Sequence, residues 1–153
     1  MNTQRISYKI RTANKKDLID CICLSKTSWS GWWSKNERLG VRYIKDCING
    51  KRCLVVLINH VVIAFLVWET FWNKIHFQDI FVKDKYRRIG LATRLLKKAT
   101  KIAKEQGFKE IMSDCDVSNK VAISFHLRNG FKKCGYIKNY WDNDSSYFFS
   151  KKI

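Results

Sequence analysis

Apolar residues along the chain follow two periods, and the order in which those periods alternate predicts the elements. Tyr8 and Ile10 alternate with polar neighbours over Ser7 to Arg11, the period of a strand. Beyond Asn14, a helix cap, Leu18, Ile19, Ile22 and Cys23 recur at helical spacing. Trp29 through Trp33 is aromatic and turn-like, and Glu37 to Ile48 reads as a second helix with Val41, Ile44 and Cys47-Ile48 on one face and Gly50 past its end. Cys53 to Ile58, a turn at Asn59-His60 and Val61 to Phe71 form a hairpin of β-branched and aromatic residues. A short turn at Asn73-Lys74 leads to a third strand, Ile75 to Val82. Ala92, Leu95, Leu96, Ala99, Ile102 and Ala103 then mark a long helix stopped by Gly107. Glu110 to Cys115 is a strand, Asn119 to Arg128 a helix, and Gly130 opens a last strand pair through Tyr147 to Ser150. This order predicts one α/β domain with a mixed sheet, spanning residues 1–153.

Composition narrows the function classes. Of 153 residues, 46% are hydrophobic and 14% aromatic, enough to build a core and to exclude whole-chain disorder. Lys and Arg number 30 against 13 Asp and Glu, a net charge of +17. The surplus favours an anionic partner: a polyphosphate cofactor, nucleic acid or an acidic surface. It opposes a polycationic substrate unless acidic residues gather locally. No stretch approaches the roughly 18 apolar residues of a membrane span, and the amino terminus is polar where a signal peptide carries its apolar run. The expectation is a cytoplasmic protein with no membrane partner. The six cysteines contain no Cys-x-x-Cys pair and no zinc-like spacing with His60, His76 or His126, so they read as reduced, apolar thiols and no metal site is expected.

The segment with chemistry is Tyr86-Arg87-Arg88-Ile89-Gly90-Leu91-Ala92-Thr93. A tight strand-to-helix turn aims main-chain N–H groups outward at a helix amino terminus, where partial positive charge gathers. Gly90 and Ala92 let a phosphate approach, and the arginines add charged donors. A plain helix start with basic residues would look the same. The segment is followed, however, by Asn119-x-x-Ala122-Ile123-x-Phe125-His126-x-x-x-Gly130-Phe131. Together the two stretches resemble the GNAT superfamily of acyl-CoA N-acyltransferases, with its Gln/Arg-x-x-Gly-x-Gly/Ala and later Asn-x-x-Ala motifs. Ser113-Asp114, Asn119, His126, Gly130-Phe131 and the ending Tyr147 to Ile153 look closest to the aminoglycoside 6′-N-acetyltransferases. That branch usually has a longer, more acidic segment before Ile75–Val82.

The resemblance implies a GNAT-like fold, a mostly antiparallel sheet of about six to seven strands with about four helices, splayed between the fourth and fifth strands. It implies acetyl-CoA as co-substrate. Pantetheine would lie along Ile80, Phe81 and Val82 with Cys115 opposite, and the diphosphate over Arg87, Arg88, Ile89, Gly90, Leu91, Ala92 and Thr93. Asn119 would reach the cofactor, cap its own helix, or both. His126 stands where relatives carry a proton-donating Tyr; a packed structural His is the other reading, and Tyr136, Tyr140 and Tyr147 are alternative donors. Gln78 falls where relatives often carry Glu and would orient water or substrate. Asp79, taken by strand alternation to face the other way, Glu69 and Asp114 are the carboxylates offered as base. Trp32, Trp33 and Trp68 would wall the acceptor pocket.

The expected activity is direct transfer of an acetyl group to a primary amine in a ternary complex. The acceptor is a small molecule such as an aminoglycoside, a protein amine or an aminoacyl-tRNA amine, and a homodimer is compatible with either. A non-catalytic module binding acyl-CoA or nucleic acid is the reading from another class.

Overall fold

The computed structural model describes residues 7–28 and 36–153. Its element order is β1 (Lys9–Thr12), α1 (Leu18–Ser28), α2 (Glu37–Asn49), β2 (Cys53–Ile58), β3 (Val61–Phe71), β4 (Lys74–Val82), α3 (Leu91–Glu105), β5 (Glu110–Asp116), α4 (Lys120–Arg128), β6 (Lys132–Trp141) and β7 (Asp144–Lys152). The seven strands form one sheet in the order β1-β2-β3-β4-β5-β7-β6. All neighbours are antiparallel except β4 and β5, the mixed sheet expected from the element order.

The near-continuous apolar run of β2 and β3 has a simple cause: both faces of the sheet are covered. Leu54, Val56, Ala64, Leu66 and Trp68 join Leu91, Leu95, Leu96 and Ala99 of α3 in one core. Cys53, Val55, Phe65 and Val67 join Cys21 and Leu24 of α1 and Ile44 and Cys47 of α2 in the other. Asn59 and His60 both have positive φ, so the β2–β3 hairpin closes through a two-residue turn that follows strand twist. The next turn falls at Trp72-Asn73, one residue earlier than the Asn-Lys pair suggested, and β4 starts at Lys74. Asn14 caps the turn before α1, accepting from Lys16 N at 3.0 Å. All six cysteines are free. Among the described residues no helix is long and apolar enough to cross a membrane, and no cluster of side chains suits a metal.

Candidate active site

The site begins where the sheet comes apart. β4 and β5 pair over only three positions, Ile75↔Ile111, His76↔Met112 and Phe77↔Ser113. Beyond Phe77, β4 continues to Val82 and β5 to Asp116 without pairing to each other. Strand alternation tells which groups line the gap. Lys83 N donates to Ile63 O at 2.9 Å, so the main-chain groups of Phe81 and Asp79 also face β3, and those of Ile80 and Val82 face the opening. Arg87 Nε serves Val82 O, and an extended amide-bearing ligand laid in the gap supplies partners for the other main-chain groups on this edge. The Phe81 side chain stacks on Phe65 in the core, so its part in the slot is main-chain geometry only.

At the open end, Gly90 sits at φ +85 as the amino-terminal residue of α3, with no side-chain cap. A Cβ placed there would meet nothing within 4 Å. The first N–H groups of the helix therefore face open space, and a diphosphate fits over them. Arg87 braces this turn: Nε donates to Val82 O at 3.0 Å and Nη2 lies 2.9 Å from Asp84 Oδ1. Arg88 and Ile89 are exposed, whereas Leu91 is buried in the core and offers only its main chain. Ala92 and Thr93 are half-buried on the first turn. Asn119 is the cap of α4, its Oδ1 accepting from Ala122 N at 3.0 Å.

The side chains nearest the fork are set by one irregularity. Val67 pairs with Asp79, but Trp68 pairs with Phe77, leaving Gln78 as an extra residue in β4. A bulge of this kind breaks strand alternation. Asp79 thus lies on the same side as His76, the face covered by α1 and α2, and simple alternation from Gln78 gave the wrong face. Gln78 Nε2 lies 3.0 Å from His76 Nδ1, and His76 Nε2 lies 3.0 Å from Asp114 Oδ1 across the β4–β5 boundary, close but out of line for a full hydrogen bond. Trp141 Nε1 donates to Asp114 Oδ2 at 3.3 Å, bringing the β6–β7 hairpin onto the same carboxylate. Tyr140 stands edge-on to Phe148 and Trp141 beside it.

Asp79 makes no hydrogen bond or ion pair among the described residues. Burial pushes its carboxyl up to about 7; the neighbouring Asp114 charge adds to the shift and His76 opposes it. Burial also raises the Tyr140 phenol, helped by Asp114, so that it keeps its proton at neutral pH. Glu69 lies on this face too, but it is committed to an ion pair with Arg52 Nη1, which also donates to Trp68 O at 3.1 Å.

His126 lies on the other face, 7% exposed. Its Nδ1 is 2.7 Å from Ala122 O and its Nε2 2.9 Å from Ser113 Oγ, and its ring stacks on Phe149 at 4.6 Å. Burial lowers its pKa. Trp68, 2% exposed, belongs to the α3-side core. Trp32 and Trp33 lie outside the described residues. His76 and Trp141, which touch Asp114, have no role in the sequence reading, and Ser113 is named there only within the resemblance. The alternation of β5 does separate Ser113 and Asp114 onto opposite faces of the sheet.

The model of the acetyltransferase (GNAT) family matches residues 21–131. A spermidine N(1)-acetyltransferase of Thermoplasma acidophilum is 26% identical over 146 residues, 83% of this chain and 89% of that protein. An N-alpha-acetyltransferase of Saccharolobus solfataricus is 27% identical over 127 residues, 74% of this chain and 75% of that protein. Among solved structures, Ard1 from Thermoplasma volcanium superposes with a TM-score of 0.86 at 19% identity, covering 97% of this chain and 99% of that one.

Proposed function

The chain belongs to the acetyltransferase (GNAT) family, and we propose that it acetylates the α-amine of a polypeptide at the fork between β4 and β5. Membership makes it an acetyl-CoA-dependent acetyltransferase; the acceptor and the roles of the residues are the proposal. When bound, acetyl-CoA supplies an activated thioester and a thiol leaving group. The first turn of α3 holds the diphosphate, and Ile80 and Val82 hold the pantetheine amides through the main chain.

Asp79 acts as the base, removing a proton from the amine directly or through one water. What supports this is the place of Asp79 beside His76 and Asp114 at the fork, with no hydrogen bond or ion pair among the described residues, where burial pushes its carboxyl up to about 7. A base of that strength suits its task near neutral pH. It also selects among amines. An α-amine titrates near about 8, within about one unit of Asp79, whereas an alkyl amine titrates near about 10.4. Delivering a neutral α-amine therefore costs about 3 kcal/mol less, from the difference of roughly 2.4 units. Asp114 attracts the incoming ammonium and keeps His76 and Trp141 in place. Tyr140 holds its phenolic proton for the departing sulfur.

A second reading rests on the same carboxylates. Asp79 and Asp114 place negative charge beside each other in a protein of net charge +17. That suits a polyamine, the acceptor named for the Thermoplasma acidophilum relative. The likeness to the aminoglycoside branch is weaker support, because Ser113, Asn119 and His126 all hold the scaffold together here. The deciding experiment offers acetyl-CoA with short free-amine peptides, spermidine and an aminoglycoside, read by mass spectrometry. Peptides gaining one acetyl at the α-amine support the proposal. Turnover of spermidine alone moves the chain to the second reading. Absence of transfer to every amine, with no heat on titrating acetyl-CoA, removes both.

A further inference from the structure

The strands part just beyond a side-chain contact. Ser113, the last residue of β5 paired with β4, donates its hydroxyl to Phe77 O at 3.0 Å. That carbonyl belongs to the last paired residue of β4, so the buried hydroxyl adds a side-chain donor at the closing rung of the ladder. Ser113 Oγ also lies 2.9 Å from His126 Nε2, and His126 is fixed from three sides: Ala122 O at 2.7 Å, Phe149 stacked below and Phe131 edge-on at 5.5 Å.

Proton counting defines what this chain of contacts can do. Ala122 O only accepts, so His126 Nδ1 carries a proton. With neutral imidazole the single Ser113 proton serves either Phe77 O or Nε2, not both. Burial lowers the His126 pKa and favours that neutral form, so the imidazole carries no spare proton near neutral pH. The titratable groups that act on the ring are Asp114, which opposes the shift, and His76, which adds to it, both from the far side of the sheet.

Resting on the acetyl-CoA reading of the fork, we infer that Ser113 and His126 are positioning residues that set where β4 and β5 separate, and so how deep the pantetheine slot reaches. They act through the Phe77 carbonyl, one residue before the Gln78 bulge and two before Asp79, so the same contact places the thioester against the base. This assigns His126 to geometry rather than to proton donation.

Calorimetry with coenzyme A on the wild-type chain comes before the variants; lack of binding there removes the acetyl-CoA reading itself. With binding in hand, Ser113→Ala removes the hydroxyl from the Phe77 carbonyl, and the KM for acetyl-CoA rises about fivefold, the scale of one lost buried hydrogen bond. The amine KM stays within about twofold, and Ser113→Thr, which keeps the hydroxyl, restores most of the loss. If Ser113→Ala fails to fold, His126→Gln takes its place with the same split expected. An unchanged acetyl-CoA KM in the folded variant overturns the inference. So does a Ser113→Thr no better than Ser113→Ala, or a His126→Gln that lowers kcat alone, the signature of a proton donor.

Discussion

Asp114 on β5 reaches His76 on β4 at 3.0 Å and accepts from the Trp141 indole on β6 at 3.3 Å, so one carboxylate brings side chains of three strands together. Its charge also raises the carboxyl of Asp79. Replacing Asp114 with Asn keeps the shape and removes the charge. The KM for the amine rises about tenfold, since an attraction of ammonium to a partly desolvated carboxylate is lost. The acid limb of the kcat/KM profile moves below its wild-type position near pH 7, because Asp79 no longer faces a like charge. A pH profile measured at saturating acetyl-CoA checks both effects together.

Asp79 itself makes two predictions of opposite sign. In the proposed mechanism its ionised form is the base, so kcat/KM climbs with pH through about 7. Asp79→Asn loses that limb and about a hundredfold in kcat. Stability runs the other way. The folded pKa is about 7 and the ordinary value 3.8, so between those pH values the folded chain binds more protons than the unfolded one. Stability therefore falls as pH rises through this window, by on the order of 2–4 kcal/mol. Asp79→Asn removes the penalty: at pH 8 its melting temperature exceeds wild type by roughly 5 °C, and at pH 4 the two coincide. Melting curves at the two pH values settle it.

Glu69 provides the contrast. It is paired with Arg52 and accepts from Cys47 Sγ of α2 at 3.8 Å. Glu69→Gln weakens that pair and lowers the melting temperature by a few degrees, the scale of about 1 kcal/mol. It leaves the acid limb of the pH profile in place. A lost limb in Glu69→Gln, with Asp79→Asn unaffected, would transfer the role of base to Glu69.

The element order was legible because each change of period is long. Leu95, Leu96, Ala99 and Ala103 repeat over nearly the whole of α3, and the β2–β3 hairpin is apolar from Cys53 to Trp68 apart from its Asn59-His60 turn. The site was legible only in part. A bulge adds one residue at Gln78 and leaves the hydrophobic pattern on both sides intact, so its effect on Asp79 cannot be seen in the pattern. His76 reads as the polar member of an alternating strand, and its contact with Asp114 depends on a parallel register that no local rule contains. Trp68 is the reverse case: a large aromatic in a hairpin looks like a pocket wall until α3 is seen to cover it.

Gly90 and Gly107 form a matched pair for the diphosphate site. Both have positive φ, at +85 and +88, and neither would put a Cβ within 4 Å of another atom. Alanine at either position costs about 1 kcal/mol of stability from backbone strain alone. Only Gly90 opens α3, where the new methyl would stand over the N–H groups offered to phosphate. Gly90→Ala raises the acetyl-CoA KM about tenfold with the amine KM unchanged, and Gly107→Ala changes neither. Equal effects from the two glycines would remove the diphosphate from α3.

In the proposed site the acceptor wall falls to the β6–β7 hairpin, through Trp141 on Asp114, rather than to the buried Trp68. Trp68 is 2% exposed among Leu66, Leu95 and Phe77, so Trp68→Ala opens a cavity and costs about 3–5 kcal/mol. Trp68→Phe, which fills most of that space, retains the KM for both substrates. Trp141 is only half-buried and is held by its indole N–H on Asp114. Trp141→Phe keeps the ring and loses that donor, so the hairpin loosens over the carboxylate while the core is untouched. The amine KM rises several-fold, on the scale of about 1 kcal/mol for one hydrogen bond to a charged group, and the melting temperature moves by no more than a few degrees. Steady-state kinetics beside thermal melts for Trp68→Phe and Trp141→Phe separate the two residues; a rise in amine KM for Trp68→Phe alone would return the pocket wall to β3.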